Sequence, residues 1–315
     1  MMDWTDRHCR VLHRLLTRRA RLYTEMITAE AVLHGKRDRL LAYSAIEHPV
    51  ALQLGGADPA KLAEAARIGA EFGYDEINLN CGCPSDRVQS GCFGAALMKT
   101  PQLAAECAAA MRAATATLVT VKCRIGVDEQ EPEQALFDFV DACSSAGVTT
   151  FAVHARKAWL SGLSPAENRD IPPLDYALVY ALKRARPELT IIINGGIASL
   201  EHAEAHLQQV DGVMLGRGAY QSPAMLAQVD SRFYGDDAHD ISEAIQSYTD
   251  YIARELENGV PLNAMTKHML GLFQGRRGAR AFRRHLSENA TRKGAGVSVL
   301  LEALAFVDQP AFAAA

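Results

Sequence analysis

No apolar run in these 315 residues approaches the ~20 needed to cross a bilayer, and the opening MMDWTDRHCR contains no h-region of a secretory signal. Neither sign of charge dominates. The 33 Lys and Arg against 37 Asp and Glu leave a net charge of −4, which excludes a generic polyanion binder and leaves any nucleic-acid contact to a local basic patch. The seven cysteines are odd in number and too sparse for a disulfide scaffold, so a reducing compartment, most simply the cytoplasm, is expected. No Cys-x-x-Cys pair occurs; Cys81 and Cys83 lie two apart, with Cys92 nearby and no matching second pair, and no metal site is expected. With 49% hydrophobic and 22% charged residues, nothing marks the chain as disordered. It is long enough for a barrel plus a smaller domain.

What the chain does contain is alternation. Apolar strand-length runs occur at 21–27, 50–54, 77–80, 118–123, 150–154, 190–194 and 212–215. Ala-, Leu- and Glu-rich helical segments lie between them at 59–72, 101–114, 133–146, 175–186 and 200–209. This predicts a parallel sheet covered by helices. Seven strands over roughly 220 residues suit an α/β fold of the (β/α)8 TIM-barrel type better than the alternative, an open doubly wound sheet. A barrel needs one more strand, and it is expected upstream of Met1, because the chain opens on an amphipathic helix capped at Thr5-Asp6. After Asp230 the periodicity is helical only. We therefore expect a barrel over residues 1–235 and a helical domain over 236–315.

Catalytic groups of such barrels sit at the C-terminal ends of strands. The predicted strand ends carry Gln53, Asn80 with Cys83, Lys122 with Arg124, His154 with Arg156, Asn194-Gly195-Gly196 and Gly216-Arg217-Gly218. One such residue means little, since a lone His or Lys after a strand is usually a satisfied or solvated end. Six in series are hard to explain that way. Cys83, fixed between Gly82 and Pro84, has few purely structural justifications. The two glycine turns suit a phosphate-bearing cofactor, with Arg217 adding a charge-assisted contact, although glycines that merely make tight turns would look the same. Lys122 suits either the pyrimidine end of a flavin or a Schiff base, and the sequence leaves both open. Cys9, Cys107, Cys123 and Cys143 read as packing residues. In the tail, Lys267, Arg276, Arg277, Arg280, Arg283, Arg284, Arg292 and Lys293 face one acid, Glu288. Arg280, Arg283 and Arg284 share one side of a helix at i, i+3 and i+4, which suits gripping phosphates or forms a solvated face.

The segments MDWTDRHCR, LYTEMIT, HPVALQLGG, YDEINLNCGCPSDRVQSGCFGA, HARKAWLSGLSP, NRDIPPLDY, INGGI, DGVMLGR, HMLGLFQG and RRHLSENA together resemble the flavin-dependent tRNA-dihydrouridine synthases. The likeness runs over essentially the whole chain, and HARKAWLSGLSP and IPPLDY resemble the A-type bacterial subgroup that acts on D-loop uridines 20 and 20a. The resemblance implies an FMN-containing barrel, NADPH as reductant, and a helical domain that helps hold tRNA. It implies Cys83 as the proton donor, and Gln53, Lys122 and His154 as flavin or substrate ligands. Asn194, Gly195, Gly196, Gly216 and Arg217 would form the phosphate cradle; Asn80, Arg169, Arg280, Arg283 and Arg284 would contact tRNA. The family's first strand ends in Ala-Pro-Met ahead of MDWTD; here Met1 and Met2 remain as its share of the flavin site. A monomer without membrane attachment or metal is expected. Two rivals stay open, a flavin barrel reducing a free pyrimidine or small enone, and a tRNA-binding chaperone.

Overall fold

The computed structural model describes residues 1–85 and 93–307, so Cys92 lies outside the described residues. Among these, seven strands form one sheet: β1 (Leu22–Thr28), β2 (Val50–Gly55), β3 (Glu76–Cys81), β4 (Leu118–Arg124), β5 (Thr150–His154), β6 (Thr190–Asn194) and β7 (Gly212–Met214). Their order in the sheet is the order in the chain, and β2 through β7 pair in parallel. A doubly wound sheet reverses its strand order at a switch point. The consecutive order therefore excludes the doubly wound alternative. No helix among the described residues is long and apolar enough to cross a membrane.

The chain divides into two compact units. The first, Tyr23–Ala42 with Val50–Gly216, holds the sheet and the helices Pro59–Glu71, Pro101–Ala114, Pro132–Ser145, Tyr176–Ala185 and Leu200–Leu207. Three of these helices open on proline, whose fixed φ and missing N–H suit a first turn. Strand alternation sorts the two faces of the sheet. Leu52 and Ile77 point at the Pro59–Glu71 helix so closely that a Cβ on Gly69 would lie 2.6 Å from Leu52 and 2.9 Å from Ile77. The neighbouring positions Gln53, Asn78, Asn80, Thr120 and Lys122 therefore line the opposite face, where the first four bond one another across strands and Lys122 reaches Asn194.

The second unit comprises Met1–Leu22, Tyr43–Pro49 and Arg217–Ala315. Its helices Arg7–Leu16, Ile241–Glu257, Ala279–Asn289 and Val297–Leu304 carry the apolar core of this unit, with Leu12, Leu16, Tyr248, Phe273 and Phe282 all buried. The Tyr248 hydroxyl donates to the His8 carbonyl at 3.1 Å, and Arg7 pairs with Glu255. The basic residues of Arg7–Leu16 do not form a solvated face. Arg10 and Arg14 are each 5% exposed. Arg10 meets the buried Glu47 at 2.5 Å. Arg14 donates to the carbonyls of Thr17 and Ala20 at 2.7 Å and to those of Glu47 and Pro49 at 3.0 and 3.1 Å. Satisfied in this way, a guanidinium is tolerated away from water.

Candidate active site

The turn after β3 is built around one side chain. Asn80, buried at the strand end, accepts the backbone N–H groups of Gly82 and Cys83, each at 3.0 Å, and donates through Nδ2 to Gln53 Oε1 at 2.7 Å. The Cys83 carbonyl in turn accepts the N–H of Ala95 at 2.9 Å. Cys83 is thus held by its backbone on both sides, with its side chain half-buried. The next anchor is Arg124, which is 3% exposed and donates to the carbonyls of Gly82 at 3.1 Å and Asn168 at 3.0 Å. Burial pushes Arg124 down to about 10, still protonated at neutral pH.

Lys122 lies on β4 opposite Ala152 of β5. That small neighbour leaves room for the ammonium to reach past it to Asn194 Oδ1 on β6, at 3.2 Å. Burial first, and the nearby charge of Arg124 second, push Lys122 down to about 8; a negative charge on Cys83 would act in the opposite direction on both cations. Asn194 is fixed by its Nδ2, which donates to the Met214 carbonyl at 2.7 Å. Thus the polar ends of β4, β6 and β7 join in one array.

Beyond Asn194 the backbone turns through Gly195 at φ +119° and Gly196 at φ +69°. A Cβ on Gly195 would lie 2.6 Å from His154 Cδ2 and 3.0 Å from Leu174. The Tyr176 hydroxyl donates to the Gly195 carbonyl at 2.7 Å, and the Leu200–Leu207 helix follows, capped by Ser199. A left-handed glycine turn leading to a helix N-terminus, with His154 packed against it, fits a phosphate-bearing group. Gly195→Ala combines backbone strain with this clash and is expected to cost about 2 kcal/mol or more. Calorimetry should find Tm lowered by roughly 4–8 °C; an unchanged Tm would contradict the tightness of the turn.

Of the sequence-predicted residues, the sheet unit brings Gln53, Asn80, Cys83, Lys122, His154, Asn194, Gly195 and Gly196 onto the C-terminal ends of β2 through β6, with Gly216 just past β7. Arg169 is exposed at the end of the short turn Glu167–Arg169. Met1, Met2, Arg217, Arg280, Arg283 and Arg284 belong to the helical unit. There the three arginines are exposed on Ala279–Asn289 while Phe282 and Leu286 are buried. Lys267 does not belong with them: its ammonium is 3.1 Å from Asp6 and donates to the Asp3 carbonyl at 3.2 Å. Sequence reasoning gave no role to Arg124, or to Asn168, which accepts the Trp159 N–H at 2.7 Å and donates to the Trp159, Leu163 and Ser164 carbonyls. Their signal was present, in an arginine closing a strand and an asparagine beside Arg169, but the partners are backbone atoms, for Arg124 those of loops distant in sequence and for Asn168 those of its own loop.

Parallel strands wound in chain order, with a clamped cysteine, a half-buried lysine, a histidine and a paired-glycine turn toward their C-terminal ends, are the arrangement of an α/β enzyme. The chain belongs to the dihydrouridine synthase family, whose model matches residues 1–310. It is similar to the tRNA-dihydrouridine(20/20a) synthase of Xanthomonas campestris, 55% identical over 99% of this chain and 93% of the relative. The protein of the same name from Salmonella typhimurium is 58% identical over 98% of this chain and 93% of its own. That from Vibrio vulnificus is 56% identical over 98% and 95%.

Proposed function

We propose that this protein is a tRNA-dihydrouridine synthase of the 20/20a type, saturating the C5–C6 bond of a D-loop uridine in the cytoplasm. The sheet is taken as the greater part of a (β/α)8 barrel and the helical unit as the tRNA-holding part. FMN, once bound and reduced by NADPH, would supply a hydride to C6 of the uracil. The chain's own share is the other half of the addition, a proton delivered to C5 from the opposite face. Cys83 gives that proton. The observation that carries this reading is the half-buried Cys83 on a turn clamped through its N–H and its carbonyl, which fixes the acid without using its side chain. Once the proton has gone, the sulfur is left as an anion that the half-buried Lys122 and the buried Arg124 offset.

Asn194, Gly195, Gly196 and Gly216 are assigned to the cofactor's phosphate, Lys122 and His154 to its ring. Gln53 has one of its two Nε2 hydrogens and one Oε1 lone pair engaged by Asn78 and Asn80, leaving the others for a polar ring edge. Asn80 lies beside the target base, and Arg169 with Arg280, Arg283 and Arg284 takes tRNA phosphates. A base must leave its stack to enter such a site, at a cost of a few kcal/mol that is smallest in a loop. The deciding experiment incubates unmodified tRNA with the protein, FMN and NADPH and maps the product by mass spectrometry. A gain of two hydrogens at one D-loop uridine is expected. No gain on tRNA, with turnover of free uracil, would replace this reading with that of a small-molecule reductase.

A further inference from the structure

We propose that Glu76, at the far end of β3 from the cysteine turn, is a positioning residue that sets the orientation of Asn80 through a one-way chain of buried hydrogen bonds. The catalytic part of this inference rests on the reading of Cys83 as the proton donor; the structural part does not. Starting at the turn, the Cys83 and Gly82 N–H groups donate to Asn80 Oδ1 at 3.0 Å. Asn80 Nδ2 donates to Gln53 Oε1 at 2.7 Å, and Gln53 Nε2 to Asn78 Oδ1 at 2.8 Å. Asn78 Nδ2 donates to Thr120 Oγ1 at 2.7 Å, and Thr120 Oγ1 to Glu76 Oε1 at 2.5 Å. Each member accepts from the side of the turn and donates toward the carboxylate. The strand register makes the links possible, because Gln53 lies opposite Asn78 and Asn78 opposite Thr120. Glu76 is 2% exposed, Asn78 0% and Thr120 1%, so water does not compete for these groups.

An amide side chain is nearly symmetric in shape, and nothing in its own geometry says which end is oxygen. The ends of this chain settle it. The turn offers only N–H donors, which demand Asn80 Oδ1. A carboxylate offers only acceptors, which demand the Thr120 hydroxyl hydrogen. The Tyr23 hydroxyl adds a second donor to the same Glu76 oxygen at 2.7 Å, filling its other lone-pair direction. Flipping any one amide would set donor against donor or acceptor against acceptor at two links, leaving buried polar groups unsatisfied. Glu76 therefore biases the three amides together. A hydroxyl at position 120 is needed because it accepts and donates at once, which neither valine nor a carboxylate does.

The test uses the full chain with FMN bound, and Thr120→Val, Thr120→Ser and Glu76→Gln as variants. Thr120→Val keeps the shape of the side chain and removes the relay. It is expected to move the NMR signals of the Cys83 backbone amide and the Asn80 side-chain amide in protein without tRNA. It should also slow single-turnover uridine reduction about tenfold while leaving the Kd for tRNA within twofold. Thr120→Ser, which restores a hydroxyl, should return both readouts to the parent values. Glu76→Gln can set an N–H donor against the Thr120 hydroxyl while the turn still demands Asn80 Oδ1, so the two ends of the chain conflict; displaced signals for the Asn78 and Gln53 side-chain amides are expected, and this variant serves where Thr120→Val fails to fold. Cys83 and Asn80 signals that stay in place in folded Thr120→Val or Glu76→Gln would overturn the chain. Signals that move while the rate does not would overturn the positioning role. A Cys83→Ala protein that still makes dihydrouridine would instead remove the proton-donor reading, and the substrate-free NMR readout would stand apart from it.

Discussion

Cys83→Ala is expected to reduce the rate of dihydrouridine formation by a factor on the order of 10² to 10⁴, the usual contribution of a positioned general acid, while flavin reduction by NADPH proceeds as before. The size of the effect follows from what the substitution leaves alone. Both anchors of residue 83 are backbone atoms, its N–H on Asn80 and its carbonyl on the Ala95 N–H, so alanine keeps the turn and removes only the sulfur. The Asn80 and Arg124 contacts to the turn likewise end on N–H and carbonyl groups. Tm and the Kd for tRNA are accordingly expected to stay near the parent values. The lost rate then belongs to the proton and not to folding or binding. Single-turnover reaction of pre-reduced protein with unmodified tRNA, quenched and read by mass spectrometry, checks this; a rate within a few-fold of the parent would move the acid to another group.

Strand identity was legible where composition and burial agree. Thr150–His154 and Thr190–Asn194, runs rich in β-branched residues followed by polar ends, fall where the periodicity places them. The search at strand C-termini found Asn80, Lys122 and Asn194 because a polar residue after an apolar run is itself a signal. The same search passes over Glu76, Asn78 and Thr120. They lie at strand beginnings and middles, and their meaning comes from the register that puts Asn78 opposite both Gln53 and Thr120. Charge counting misplaced Lys267 for a related reason: it stands in sequence with the tail arginines, but Asp6 engages it, much as Glu47 and a row of carbonyls engage Arg10 and Arg14. Only tertiary structure brings those partners within reach.

Replacing Arg280, Arg283 and Arg284 together with alanine is expected to weaken tRNA binding by roughly tenfold to a hundredfold at moderate salt and to flatten its salt dependence. Each phosphate contact releases condensed counterions, so log K falls with log[salt] by somewhat less than one unit per contact, and three lost contacts should reduce the slope by about 2 to 3. The helix should survive. Its packing rests on the opposite side, where Phe282 is buried and meets Phe273 edge-to-face with ring centroids 4.9 Å apart, and alanine is the better helix former at exposed positions. Among the described residues none of the three arginines forms an ion pair, whereas Lys267 of the same unit does. Their charges are thus available to phosphates, and removing them breaks no internal bridge. Because they lie far in sequence from Asn80, Cys83 and Lys122, the single-turnover rate at saturating tRNA should be preserved, placing the defect in Kd. Filter binding across a salt series measures both quantities. An affinity loss with an unaltered slope would mean that the three arginines act on the shape of the helical unit, and an unaltered affinity would make them a solvated face.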